Sequence, residues 1–141
     1  MTRMMIHNRQ FLRVRSTGSP LPCGTLLYIH GLGESGLCFD ELIANERLSE
    51  WNHVVPDLIG YGRSHWPEGR ITLEDHADSI GEIAGRKLAR PLILLGHSMG
   101  GVIGQILCEK RPSVVDGFFN VEGNISCLLY TSPSPRDLST S

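Results

Sequence analysis

Long apolar runs are missing from this 141-residue chain. The longest, around residues 26–29 and 92–95, fall far short of the roughly 18 residues that span a bilayer, so no transmembrane helix is expected. Residues 1–10 carry Thr2, Arg3, His7, Asn8 and Arg9, which leaves no room for the apolar core of a signal peptide. A cytoplasmic location is the resulting expectation. An excess charge of either sign is also absent, since thirteen Lys and Arg stand against fifteen Asp and Glu. A net charge of −2 offers no footprint for a phosphate backbone or an anionic bilayer, so neither nucleic acid nor a membrane is an expected partner. The four cysteines form no CxxC pair and no histidine stands at zinc-ligand spacing, which argues against a metal site or a disulfide scaffold. No internal repeat is visible. A chain that is 40% hydrophobic is nevertheless too apolar to be generically disordered.

What is present is an alternation of strands and helices. Residues 11–15 (FLRVR) read as a strand ended by a turn-prone run, 25–29 (TLLYI) and 92–95 (LILL) as buried strands, and 52–56 (NHVVP) and 117–121 (GFFNV) as shorter ones. The pattern predicts helices over 37–48, from Thr72 to about Ala84, and over 99–111, where Pro112 stops the last. Thr72 can cap its helix, with Glu74 and Asp75 at the positive end of the dipole. Continuous apolar strands alternating with helices imply an α/β fold, a mostly parallel sheet with helices on both faces.

The chemistry concentrates at Gly96-His97-Ser98-Met99-Gly100, a GxSxG pentad that a buried strand enters and an amphipathic helix leaves. A sharp strand-to-helix turn lifts a serine hydroxyl above the sheet edge, and it needs Gly96 and Gly100 because a Cβ would collide with neighbouring backbone. The helix start aims unpaired amides, that of Met99 among them, at developing negative charge. His30-Gly31-Leu32-Gly33 leaves the TLLYI strand, where the Leu32 amide could be a second oxyanion donor and Gly31 permits a close approach.

HGLGES (30–35), DLIGYGRS (57–64) and LGHSMGG (95–101), in that order, resemble the oxyanion loop, the loop after the next core strand and the nucleophile elbow of the α/β-hydrolase family. The resemblance covers roughly residues 10–125, the N-terminal half of such a domain. It implies a cofactor-independent serine hydrolase with an esterase-like or lipase-like reaction on a small-molecule acyl substrate. Ser98 would be the nucleophile, the amides of Leu32 and Met99 the oxyanion hole, and His30, Gly31, Gly96 and Gly100 the residues that shape the loops. Two other readings stay open. Gly31, Gly33 and Gly36 spell GxGxxG after a strand, with Asp57 ending the next strand, which approximates a dinucleotide-binding fingerprint. A noncatalytic binding module on the hydrolase scaffold is the other.

The triad is incomplete. All six histidines (His7, His30, His53, His65, His76 and His97) come at or before Ser98, whereas the family order is Ser, acid, His, so none is assigned as the base. A structural role is expected for His97 and a surface position for His76. Glu122, directly after GFFNV, occupies a place where some family members carry the triad acid; a solvated strand-end glutamate is the equal alternative. Residues 127–137 (CLLYTSPSPRD) resemble an in-frame translation of a transposase-type sequencing adapter. That resemblance implies hydrolase sequence over 1–126 and a non-native, disordered tail over 127–141. Two expectations follow: the chain has no catalytic histidine and no meaningful esterase turnover, and its last strand is an uncovered edge that leaves the fold marginal.

Overall fold

In a computed structural model, the described residues are 1–7 and 10–123, and the 127–141 tail reading lies outside them. Six strands, β1 (Thr2–His7), β2 (Gln10–Thr17), β3 (Thr25–Ile29), β4 (Asn52–Pro56), β5 (Leu92–His97) and β6 (Gly117–Val121), form one sheet in the order β1-β2-β4-β3-β5-β6. The β4-β3, β3-β5 and β5-β6 pairs are parallel, while the β1-β2 hairpin joins β4 antiparallel. The connections from β3 to β4 and from β5 to β6 lead to opposite sides of β3. The C-terminal ends of β3 and β5 therefore flank a topological switch point, where open α/β sheets place their ligands.

The strand and helix patterns find their partners. Helix α2 (Leu73–Ala84) starts with a complete capping box between Thr72 and Asp75, and helix α3 (Met99–Lys110) follows β5 directly. Leu27, Ile29, Leu92 and Leu94 on one sheet face pack with Ile80, Ile83, Ile103 and Leu107 of these helices. The other face buries Leu26, Tyr28, Phe39 and Val55.

Two expectations are corrected. The single helix over 37–48 is a 3-10 turn (Gly36–Phe39), a one-turn helix α1 (Asp40–Ile43) and a second 3-10 turn (Glu46–Leu48). Asn45 interrupts it: its backbone is extended and its side chain accepts from the Arg47 amide, a local bond that competes with the helix ladder. Strand β1 was not anticipated, because most of its residues are exposed and its sheet face carries little apolar alternation. Among the described residues β6 lies at a sheet edge, with Phe119 and Val121 exposed.

Candidate functional site

Register sets the site. Ile29 pairs with Gly96, so β3 and β5 end side by side and release the 30–33 loop and the 98 turn at the same height. Ser98 adopts φ 55°, ψ −119°, a conformation that costs a non-glycine residue and persists only when its surroundings enforce it. The enforcement is visible. The Ser98 amide donates to Val121 O at 2.9 Å, and Ser98 O accepts from the Gly101 amide at 2.8 Å to open α3. A Cβ on Gly96 would strike Gly100 O, and one on Gly100 would strike Ile29 O and lie 2.8 Å from His30 O. Ser98 is the N-cap of α3, yet its side chain makes no capping bond, so the hydroxyl is not spent on the helix.

The 30–33 loop abuts this turn. A Cβ on Gly31 would lie 3.2 Å from Ser98 Cβ and from His97 O, so only glycine allows this approach without displacing a neighbour. His30 is fully buried. Its Nε2 accepts from the Leu58 amide at 3.0 Å, which places the ring proton on Nδ1, 2.9 Å from Gly31 O. Burial lowers its pKa and keeps the ring neutral, with Gly31, Asp57 and Glu34 opposing. Among the described residues the amides of Leu32 and Met99 donate to no backbone carbonyl.

Asp57 anchors both loops. Its Oδ1 accepts from the Gly36 amide at 2.8 Å, and its Oδ2 accepts from Arg13 and from the Arg63 amide, each at 3.1 Å. Burial works against its charge, but the two amides and the guanidinium outweigh it and hold the carboxyl below the usual range. A buried carboxylate engaged in this way is not offered to a ribose, which removes the ground for reading the Gly31, Gly33 and Gly36 pattern as a dinucleotide site.

Beyond β6, Glu122 has φ 62°, and Asn120 Oδ1 accepts from the Gly123 amide at 2.8 Å to shape the turn. Asn120 escaped the sequence reading; a polar residue three positions before a glycine at a strand end was its only signal. Glu122 Oε2 lies 3.3 Å from His97 Nε2, and Glu34 Oε1 lies 3.5 Å from His97 Nδ1. His97 thus bridges the loop after β3 and the turn after β6, in keeping with a structural role. His53 is likewise engaged, 2.8 Å from Tyr28 Oη and 3.0 Å from Leu48 O.

Comparison with known proteins fits this architecture. The family model for the alpha/beta hydrolase fold matches residues 24–138. The chain belongs to the alpha/beta-hydrolase fold family. It is 31% identical to lipase LipV of Mycobacterium tuberculosis over 90 residues, 64% of this chain and 33% of that protein. It is 36% identical to 2-(acetamidomethylene)succinate hydrolase of Mesorhizobium japonicum over 107 residues, 74% of this chain and 36% of that protein. Among solved structures, the thioesterase domain from the curacin biosynthetic pathway superposes with a TM-score of 0.78 at 25% identity, covering 99% of this chain and 52% of that one. The chain spans about a third of the length of these two curated relatives. No helix among the described residues is long and apolar enough to cross a membrane.

This alpha/beta-hydrolase chain also has a cavity of about 250 Å³ beside Met99, lined by Ile59, Tyr61, Trp66, Pro67 and His76 among others. His76 is not at the surface as expected but 5% exposed. Its place three residues after Leu73 and four before Ile80 puts it on the core face of α2, a spacing visible in the sequence. Burial, with His30 adding to it, lowers the His76 pKa to about 4. The unfolded chain therefore takes up this proton first as pH falls below about 6.5, so stability declines from there toward pH 4 and recovers as pH rises. Urea unfolding is expected to show a loss of about 2 kcal/mol between pH 7 and pH 5 from this residue, and His76→Leu should flatten that slope. An unchanged slope in the variant would contradict the assignment.

Proposed function

We propose that the chain carries the nucleophile and oxyanion hole of a serine hydrolase that cleaves a carboxylic ester or thioester through an acyl-enzyme. Ser98 Oγ attacks the acyl carbon as its proton passes to a general base, and the carbonyl π pair moves onto oxygen. The Leu32 and Met99 amides hold that oxyanion, one from the loop after β3 and one from the first turn of α3. Collapse expels the alcohol or thiol, which takes the proton from the base; water then repeats the sequence and releases the acid and Ser98. Glu122 orients the base. The base itself is supplied by protein outside these 141 residues, since the family order is Ser, acid, His and all six histidines here come at or before Ser98.

The observation that carries this reading is the enforced positive-φ turn at Ser98, with a hydroxyl uncommitted to its helix and Gly31 packed against it. Strain of this kind has to be offset by packing elsewhere, and a plain connecting turn has no need of it. In protein extended to include the base, a fluorophosphonate is expected to leave one adduct, on the peptide bearing Ser98, and none in Ser98→Ala. The 141-residue chain should hydrolyse a short activated ester no faster than its Ser98→Ala variant. An adduct on another residue, or activity that survives Ser98→Ala in the extended protein, would refute the proposal.

A further inference from the structure

The cavity beside Met99 has no part in the bond-breaking steps above, and its walls are selective. Met99 supplies one of the two proposed oxyanion amides and also lines the cavity, so the space begins within a side chain's length of the reacting carbon. About 250 Å³ exceeds the roughly 150 Å³ that holds a benzene ring and falls below the usual range for a drug-sized ligand. One substituted ring fits. Tyr61, Trp66 and Pro67 contribute ring side chains to the lining, which favour an aromatic guest. Trp66 is 74% exposed, an arrangement that leaves a large apolar face in water unless something covers it.

Polarity narrows the guest further. Among the described residues no Asp, Glu, Lys or Arg lines the cavity, so an ionised group entering it would lose water and gain no counter-charge from them. Two titratable side chains line it, Tyr61 and His76; of these His76 is buried and held neutral, and its Nδ1 has no hydrogen-bond partner among the described residues. A neutral imidazole has one donor and one acceptor to satisfy, and a half-turn about its last torsion exchanges the nitrogen and carbon edges. A hydroxyl on the guest could serve either nitrogen.

We propose that this cavity is a specificity subsite for an uncharged, hydroxylated single aromatic ring of the acyl substrate, with His76 as the residue that recognises the hydroxyl. The inference rests on the hydrolase reading for its link to catalysis, but the binding it predicts does not need Ser98. The test is ligand-observed saturation-transfer NMR on the 141-residue chain and on Ser98→Ala, with p-cresol, toluene and benzoate as probes. In both proteins p-cresol is expected to bind about tenfold more tightly than toluene, the ratio of one neutral hydrogen bond, and benzoate should not compete. His76→Phe should bring p-cresol down to toluene's affinity. Trp66→Ala, at an exposed position where folding is not at stake, should weaken both neutral ligands about tenfold and keep their ratio.

Benzoate binding as well as p-cresol, a ratio that survives His76→Phe, or affinities untouched by Trp66→Ala would each overturn the subsite. If His76→Phe does not fold, the benzoate and Trp66→Ala arms still decide. A Ser98 adduct without p-cresol binding defeats the subsite alone, whereas p-cresol binding with no Ser98 adduct in the extended protein defeats the hydrolase reading alone.

Discussion

Gly100→Ala is expected to cost more than about 3 kcal/mol and to abolish the urea unfolding transition, although helix propensity alone predicts the opposite. Gly100 lies in the first turn of α3, where alanine is intrinsically better than glycine by about 1 kcal/mol. Against that gain, the new methyl would overlap Ile29 O and crowd His30 O, backbone atoms at the end of β3 and at the start of the loop that follows it, which cannot rotate away. Relief requires α3 to move off β3, and α3 carries Ile103 and Leu107 into the core. The steric cost is therefore several times the propensity gain, in a fold whose total stability is ordinarily about 5–15 kcal/mol. Gly69→Ala is the matched control. Nothing lies within 4 Å of its added Cβ, so a change within about 0.5 kcal/mol is expected. If Gly100→Ala were as harmless as Gly69→Ala, the close approach of the two loops would be wrong, and with it the geometry proposed for the oxyanion hole.

That contact also marks what a sequence can reveal. The interior of the fold is written in local patterns: TLLYI and LILL are apolar on both faces because they are the central strands, and Thr72 and Asp75 announce a helix start that forms as read. The GxSxG turn is legible for the same reason, since its glycines answer a purely local crowding. Where the outcome depends on distant partners, local reading fails. Phe39, Leu42, Ile43 and Leu48 have helical spacing, yet Asn45 breaks the run, and Phe39 is buried against Tyr28 whichever turn carries it. A histidine within a helix is expected at the surface, yet the spacing of His76 places it with Leu73 and Ile80 on the core face. The Glu34-His97-Glu122 bridge joins segments 25 and more residues apart, and no pattern in the chain announces it.

Glu122 is where the remaining question about the triad can be decided. In protein extended to include the base, Glu122→Gln is expected to lower kcat/KM by about three to four orders of magnitude, the loss seen when an orienting carboxylate becomes an amide that supports the wrong tautomer. The Ser98 amide to Val121 O bond fixes the preceding residue beside the nucleophile turn, and the left-handed backbone at Glu122 turns the chain there. A Glu122 that served only as a solvated partner of His97 would behave otherwise. Its loss would then be imitated by His97→Gln and would stay below about tenfold, as for an exposed ion pair. The pH profile separates the cases independently of the rate. A carboxylate beside the base stabilises the imidazolium and raises its pKa, so removing that charge should move the acid limb of kcat/KM to lower pH. A rate loss under tenfold with the acid limb unmoved would place the acid elsewhere in the protein and leave Glu122 as part of the His97 bridge.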